Sequence, residues 1–129
     1  MTDPAPKHPC PCGRAARLSE CCGPLHAGHA PADAEALMRS RYSAYVLDRR
    51  DYLLQTWHAS TRPASLPPPP SGLRWLGLEV RRHERIDDDH AVVEFVARSK
   101  LGGRAHRLRE ASRFVREGGR WLYVDGDSG

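Results

Sequence analysis

The sequence predicts an α+β fold in which a small metal-binding segment is followed by helices and then by an antiparallel sheet. Three observations support this order. All four cysteines fall within residues 10–22, apolar residues recur at helical spacing within residues 33–57, and the last third of the chain alternates apolar and polar residues between turn signals. Because the helical and strand patterns are segregated along the chain, we expect an α+β arrangement rather than a parallel α/β sheet.

The composition is that of a folded protein with a core of its own. Of 129 residues, 40% are hydrophobic and 28% are charged, which is ordinary for a globular domain. We find no run of about 18 apolar residues and no secretion signal near the first residue, so we expect a cytoplasmic protein without a membrane partner. Because cytoplasmic thiols are kept reduced, clustered cysteines favour a metal site over disulfides.

The cysteines have the spacing of a closed metal site. They form two close pairs that are separated by a loop of eight residues: Cys10 with Cys12, and Cys21 with Cys22. Two such pairs can surround one tetrahedral ion, and four thiolates leave no open position for catalysis. We therefore predict one structural Zn²⁺ ion, with disulfides, a redox-active thiol pair or an iron–sulfur cluster as alternatives. Two nearby histidines are alternative ligands in place of one cysteine: His26 and His29.

The rest of the chain divides into a tail, the metal-binding segment and a larger domain. Residues 1–9 are predicted to be a disordered tail, residues 10–30 the metal-binding segment and residues 31–129 the larger domain. A helix is expected to begin after Asp33, whose carboxylate can accept a hydrogen bond from a free backbone N–H group. Its apolar stripe contains Arg41. We expect a second, shorter helix to be capped by Asp51.

A proline-rich connection and four strands are predicted after the helices. Residues 60–73 include four consecutive prolines and should form a connecting loop. Alternation places Leu76, Leu78 and Val80 on one strand face, and the apolar segment 91–97 indicates a strand that is covered on both faces. Further strands are expected over residues 106–116 and 120–125. Turns are expected at three places: residues 87–89, 102–103 and 118–119.

Several segments resemble known families. Cys-Pro-Cys-Gly at residues 10–13 and Glu-Cys-Cys-Gly-Pro at residues 20–24 resemble the SEC-C motif, a zinc-binding knuckle that is also found in the SecA translocation ATPase. Four further segments resemble the YchJ family of small bacterial proteins: residues 36–45, 52–58, 110–114 and 121–126. The resemblance implies a nuclear-transport-factor-2-like (cystatin-like) cone of helices on a curved antiparallel sheet. It also implies a protein or ribosome partner, because the related knuckle of SecA contacts the SecB chaperone and the ribosome.

The strand over residues 106–116 indicates a second candidate site. By alternation, Glu110 and Ser112 share a face with the large apolar residues Leu108 and Phe114, so this face should point inward. A buried carboxylate needs a partner, and we predict an ion pair with Arg41 that is either a structural tie or part of a ligand site. The candidate pocket residues are Arg41, Tyr45, Trp57, His58, Glu110 and Ser112.

Three functions are compatible with these features. We find no convincing catalytic motif, so the leading interpretation is a zinc-stabilised adaptor that binds a protein or the ribosome rather than an enzyme. The first alternative is a small-ligand-binding or enzymatic domain that uses a cavity in the cone. The second is nucleic-acid binding, since the net charge is +4 and arginines cluster in the strands. These arginines are Arg81, Arg82, Arg98, Arg107, Arg109 and Arg113.

Overall fold

The elements follow one another in the predicted order. The metal-binding segment of residues 10–30, called the knuckle below, comes first, and the helices and the sheet follow. The structure is a computed structural model that describes residues 9–128. The predicted tail lies outside the described residues except for Pro9, which forms an antiparallel bridge with Arg17. The knuckle contains a short 3-10 turn, Leu18–Glu20, and helix α1, Cys22–His26. The other elements are α2 (Ala34–Val46), α3 (Arg50–Gln55), β1 (Arg74–Arg85), β2 (His90–Leu101), β3 (Arg104–Glu117) and β4 (Arg120–Ser128).

Helix α2 begins at the predicted cap, whereas α3 does not. The Asp33 carboxylate accepts a hydrogen bond of 2.7 Å from the Ala36 amide, which satisfies one of the free N–H groups at the start of α2. The residue before α3 is Arg49, and Asp51 lies within the first turn instead of capping the helix. A carboxylate inside the first turn still interacts favourably with the helix dipole, so Asp51 supports α3 in a different way from the predicted one.

The four strands form one antiparallel sheet in the order β1-β2-β3-β4. The turns expected from the aspartate run and the two glycine pairs all lie between consecutive strands. The prediction for Leu76 was wrong, because this side chain is 53% exposed. A β-bulge between Trp75 and Gly77 shifts the register, so that Trp75 packs against the core in its place.

The core lies between α2 and one face of the sheet. Its largest fully buried side chains include Leu37 of α2 and Val93 and Phe114 of the strands. The expectation that β2 is covered on both faces holds only at Val96, which is buried although it points away from α2. The other outward positions of β2 are half-buried or exposed, since none of the helices α1 to α3 packs on that face. No helix in the described part of the chain is long and apolar enough to cross a membrane.

The knuckle is docked on α2. A guanidinium nitrogen of Arg39 donates a hydrogen bond of 2.8 Å to the carbonyl oxygen of Cys12, and Nε2 of His26 donates one of 2.8 Å to the carbonyl oxygen of Ser40. The link between knuckle and α2 is also tied down, because Arg120 of β4 donates a hydrogen bond of 2.8 Å to the carbonyl oxygen of Gly28. These bonds hold the knuckle against the larger domain.

Candidate functional site: a four-cysteine cluster and an aromatic cavity

The four cysteine sulfurs converge on one point. All four Sγ atoms lie within 4.8 Å of one another, and three of the four residues are buried. The Cys12 and Cys21 sulfurs are 3.5 Å apart, and the Cys21 and Cys22 sulfurs are 4.0 Å apart. These separations are far above the bond length of about 2.05 Å in a disulfide. They match the edge of about 3.8 Å in a tetrahedron of sulfurs around Zn²⁺. The residues present therefore fit a metal ion.

The thiols of this cluster perturb one another strongly. Hydrogen bonds from Cys12 and Cys22 lower the pKa of Cys10, and hydrogen bonding with Cys10 raises the pKa of Cys22. Burial raises the pKa of Cys21 to about 12. The thiolate of Cys10 is therefore favoured, while Cys21 and Cys22 keep their protons. A bound cation would compensate the negative charge that opposes ionisation of the remaining thiols.

The histidines take no part in the metal-binding group of the described residues. Nε2 of His26 is occupied by the carbonyl oxygen of Ser40, and the imidazole ring packs against Tyr52 with ring centroids 4.7 Å apart. His29 is exposed. The four cysteines alone satisfy the geometry of a metal site. A protein or ribosome partner for the knuckle stays a prediction.

A cavity of about 270 Å³ lies between α2 and the inner face of the sheet. Its apolar wall consists of Met38, Tyr42, Trp75, Phe95, Ala97 and Leu108. Five residues with polar groups complete the lining: Arg41, Tyr45, Glu110, Ser112 and Tyr123. A mostly apolar cavity with a few polar groups is the usual form of a small-molecule site.

Arg41 lies in the wall of this cavity and is only 3% exposed. Its Nη1 donates hydrogen bonds of 2.8 Å to the carbonyl oxygen of Leu53 and 2.7 Å to the hydroxyl of Thr56. Within residues 9–128, its Nε and Nη2 have no hydrogen-bond partner, and no carboxylate lies within ion-pair distance. Burial lowers the pKa of Arg41, yet an arginine stays protonated in a protein. The cavity therefore has a positive charge in its wall that no acid of the described residues neutralises by direct contact.

Tyr123 stands between Arg41 and Glu110. The Arg41 guanidinium carbon lies 4.5 Å from the centroid of the Tyr123 ring, and the Tyr123 hydroxyl lies 3.5 Å from a carboxylate oxygen of Glu110. The Ser112 hydroxyl donates a shorter hydrogen bond, of 2.5 Å, to the same oxygen. Burial, and then the charge of Glu110, raise the pKa of Tyr123 to about 12, so the phenol keeps its proton. The two opposite charges share one cavity without meeting.

The structure corrects the predicted pairing of Arg41 with Glu110. Both side chains line the cavity, but each is held by other groups, and no ion pair joins them in the described chain. Trp57 contacts the guanidinium of Arg41 at 5.0 Å but does not line the cavity. His58 lies elsewhere, because its Nε2 is 2.6 Å from a carboxylate oxygen of Glu117. Four of the six predicted pocket residues therefore line the cavity: Arg41, Tyr45, Glu110 and Ser112.

Two residues of the site were missed by sequence reasoning. The sequence pattern places Tyr123 in the final strand and in a family-like segment but not in the pocket, although it shares an inward face with Trp121 by alternation. Gly126 was read as part of a family-like segment, yet a side chain there would overlap the carboxylate of Glu110. The alternation of side chains along the last strand was sufficient to place Tyr123 on the inward face. The role of Gly126 depends on the pairing of β3 with β4.

Most of the six clustered arginines of the sheet have carboxylate partners. Arg109 pairs with Glu94 at 3.1 Å, and Arg113 pairs with both Asp125 at 2.6 Å and Asp127 at 2.7 Å. Three more of the clustered arginines also have carboxylate partners: Arg81, Arg82 and Arg98. Of the six, Arg107 alone lacks such a partner among residues 9–128. These ion pairs reduce the number of arginines that are free to contact phosphates, and nucleic-acid binding by the sheet stays a prediction.

Comparison with known proteins identifies the family. The family model described as "YchJ, middle NTF2-like domain" matches residues 33–126. A UPF0225 protein of Methylibium petroleiphilum is 68% identical over 129 residues, which is 96% of this chain and 93% of that protein. A UPF0225 protein of Bordetella bronchiseptica is 57% identical and covers 94% of this chain and 97% of its own.

Two solved structures of SEC-C motif containing proteins are similar to this chain over most of its length. The solution structure of a SEC-C motif containing protein from Rhodopseudomonas palustris has a TM-score of 0.81 at 32% identity, covering 93% of this chain and 98% of that one. The crystal structure of a SEC-C motif containing protein from Psychrobacter arcticus has a TM-score of 0.78 at 28% identity, covering 93% and 82%. The chain therefore belongs to the YchJ-like UPF0225 family, in which a SEC-C motif precedes a domain of the nuclear-transport-factor-2-like fold.

Proposed function

We propose that this protein binds a small organic molecule in the cavity between α2 and the sheet, and that a zinc-loaded knuckle holds α2 in place. The observation that carries this proposal is Arg41. Its guanidinium is buried in the wall of a mostly apolar cavity and, among residues 9–128, has free N–H donors but no carboxylate partner.

The buried charge of Arg41 costs free energy. A guanidinium that leaves water loses several kcal/mol of hydration, which an ion pair usually offsets. Within the described part of the chain, the compensation for Arg41 comes from two neutral acceptors and from the faces of Trp57 and Tyr123. A methionine or leucine at position 41 would fill the space without this cost. A charge retained in such a place favours a binding role toward an anionic group.

The knuckle supports this function as a clamp. A set of four thiolates favours Zn²⁺ among the common divalent ions, and a closed set favours a structural role. Cys10 contacts the hydroxyl of Ser43 in α2 at 3.6 Å, and Arg39 of the same helix binds the backbone of Cys12. The ion would thus fix the side of α2 that faces away from the cavity. Free thiols and a thiolate site suit a reducing compartment such as the cytoplasm.

The test is binding of small aromatic probes to the zinc-loaded full chain, followed by protein-observed NMR. The probes are 3-phenylpropanoate, 2-phenylethylamine and phenylalanine, each small enough for the cavity. We expect saturable shifts for at least one probe, centred on Trp75, Tyr123 and Ser112. Substitution Ala97→Phe, which fills the cavity, should abolish them. Ala105→Phe on the exposed part of β3 is the matched control and should leave them unchanged.

Two outcomes would overturn the proposed function. One is that none of the three probes gives saturable shifts at the cavity. The other is that a probe binds the folded Ala97→Phe variant as well as it binds the unmodified protein, which would place the binding site elsewhere. Dispersed amide resonances of both variants confirm that each has folded.

A further inference from the structure

The cavity contains two opposite charges that do not neutralise each other. Arg41 has unused donors on Nε and Nη2, and the Glu110 carboxylate is bound only by the hydroxyls of Ser112 and Tyr123 within the described chain. A mobile pair in a small, mostly apolar space would close into an ion pair, since attraction between charges is strong away from water. Something must therefore keep the two groups apart.

Three features hold the charges in separate positions. The bonds of Arg41 to Leu53 and Thr56 fix its guanidinium at the end of α3. Glu110 lies across the backbone of Gly126 on the neighbouring strand, where any other residue would displace it. Tyr123 occupies the space between them, with its ring against Arg41 and its hydroxyl toward Glu110. The separation is thus built from four elements: α2, α3, β3 and β4.

We propose that the cavity selects a small zwitterion, a molecule that carries both a carboxylate and a protonated amine on an apolar or aromatic body. The inference rests on the proposed function and names the class of ligand for that site. The carboxylate would accept hydrogen bonds from Nε and Nη2 of Arg41, and the ammonium would donate to the carboxylate of Glu110. The apolar body would pack against Trp75, Phe95 and Leu108.

This arrangement discriminates by repulsion as well as by attraction. A ligand with only a carboxylate would bring its negative charge into a cavity that contains Glu110. A ligand with only an amine would bring a positive charge close to Arg41. Only a ligand that carries both charges can bind Arg41 and Glu110 at the same time. Specificity of this kind depends on the free-energy penalty for ligands that carry the wrong charges.

The three probes named above provide the test, because they differ by single charged groups. Phenylalanine is 3-phenylpropanoate with an added amine, and it is also 2-phenylethylamine with an added carboxylate. We expect zinc-loaded protein to bind phenylalanine at least about tenfold more tightly than either relative, as one charged hydrogen bond would give. Equal or tighter binding of 3-phenylpropanoate or 2-phenylethylamine at the cavity would overturn the zwitterion proposal but leave the proposed function intact.

The variant Glu110→Gln separates charge recognition from the shape of the cavity. It keeps the size of the side chain and removes its charge, so the advantage of phenylalanine over 3-phenylpropanoate should fall to within about twofold. Glu94→Gln, on the outer face of β2, is the matched control and should retain the full advantage. An advantage that persists in the folded Glu110→Gln variant would show that Glu110 does not receive the amine and would overturn the inference.

Discussion

The side chain of Glu110 lies across the backbone of Gly126, in the space that a β-carbon would occupy there. Three atoms of Glu110 would overlap that β-carbon, although the two residues belong to different strands. Ser112, two residues from Glu110, is the register partner of Gly126. The carboxylate therefore reaches diagonally over β4, and the absence of a side chain at position 126 is what permits its position in the cavity.

Substitution Gly126→Ala should destabilise the protein through this contact. We expect a loss of about 1–3 kcal/mol in the free energy of unfolding, as for other overpacked sites. The double variant Glu110→Ala with Gly126→Ala should be more stable than the sum of the two single changes predicts, because the clash is then absent. Urea unfolding of the four zinc-loaded proteins measures the coupling. Strict additivity would show that the two residues do not interact.

The purified protein should contain one zinc ion per chain, held by four thiolates. Elemental analysis measures the metal, and a thiol assay before and after chelation should find four thiols released. The variant Cys12→Ser should lose most of the metal. The variant Cys21→Ser tests for the same loss in the second pair, Cys21 with Cys22, which contains the most exposed of the four cysteines. A metal-free protein with fewer than four titratable thiols would instead indicate a disulfide or redox site.

Removal of the metal should unfold the knuckle but leave the sheet folded. The cysteine cluster has few apolar neighbours, whereas the larger domain has its own core between α2 and the strands. Hydrogen exchange should therefore become fast over residues 10–27 after chelation and stay slow in β2 and β3. Some loss of protection in α2 is also expected, because Arg39 and Ser43 contact the knuckle. Loss of the sheet signal would contradict an independent core.

His26 should make stability fall at mildly acidic pH. Burial lowers its pKa below the ordinary value of 6.5, although the hydrogen bond to Ser40 opposes the shift. The unfolded chain takes up a proton near pH 6.5, whereas the folded protein does so only at lower pH. The contribution of His26 is therefore fully present above about pH 6.5 and is lost as the pH falls below it.

A variant without the titrating ring isolates this effect. His26→Gln keeps a donor for the carbonyl oxygen of Ser40 but cannot titrate. Its loss of stability between about pH 7.5 and pH 5.5 should be smaller than that of the unmodified protein. His29→Gln, at an exposed position, is the control and should follow the unmodified protein. Identical pH profiles for His26→Gln and the unmodified protein would refute the assignment.

Tyr52 should contribute a buried hydrogen bond to the packing of α3 on α2. Ser40 donates its hydroxyl proton to the carbonyl oxygen of Leu37 at 2.7 Å, so the Tyr52 hydroxyl donates to the Ser40 oxygen, also at 2.7 Å. Substitution Tyr52→Phe should lower the free energy of unfolding by about 1–2 kcal/mol. Tyr45→Phe, at a side chain that is 41% exposed, should cost much less. Equal losses in thermal or urea unfolding would contradict this role.

The sequence by itself determined the features that depend on local chemistry. The pairs of cysteines, the cap at Asp33 and the glycine turns each act over a few residues, so their spacing predicted the metal cluster, the start of α2 and the hairpins. The alternation that placed Glu110 and Ser112 on an inward face was also sufficient, because a regular strand obeys a period of two. Local rules failed at Leu76, where a bulge interrupts that period.

Only the tertiary structure decided how the charges are arranged. The sequence put Arg41 and Glu110 on facing elements and favoured an ion pair, since buried charges usually pair. Whether they meet depends on what lies between them, and that is Tyr123, brought there by the pairing of β3 with β4. The same pairing sets Gly126 beside Glu110. Strand register is a long-range property of the fold. Here it places Tyr123 between Arg41 and Glu110, so the two charges line an open cavity instead of forming the expected ion pair.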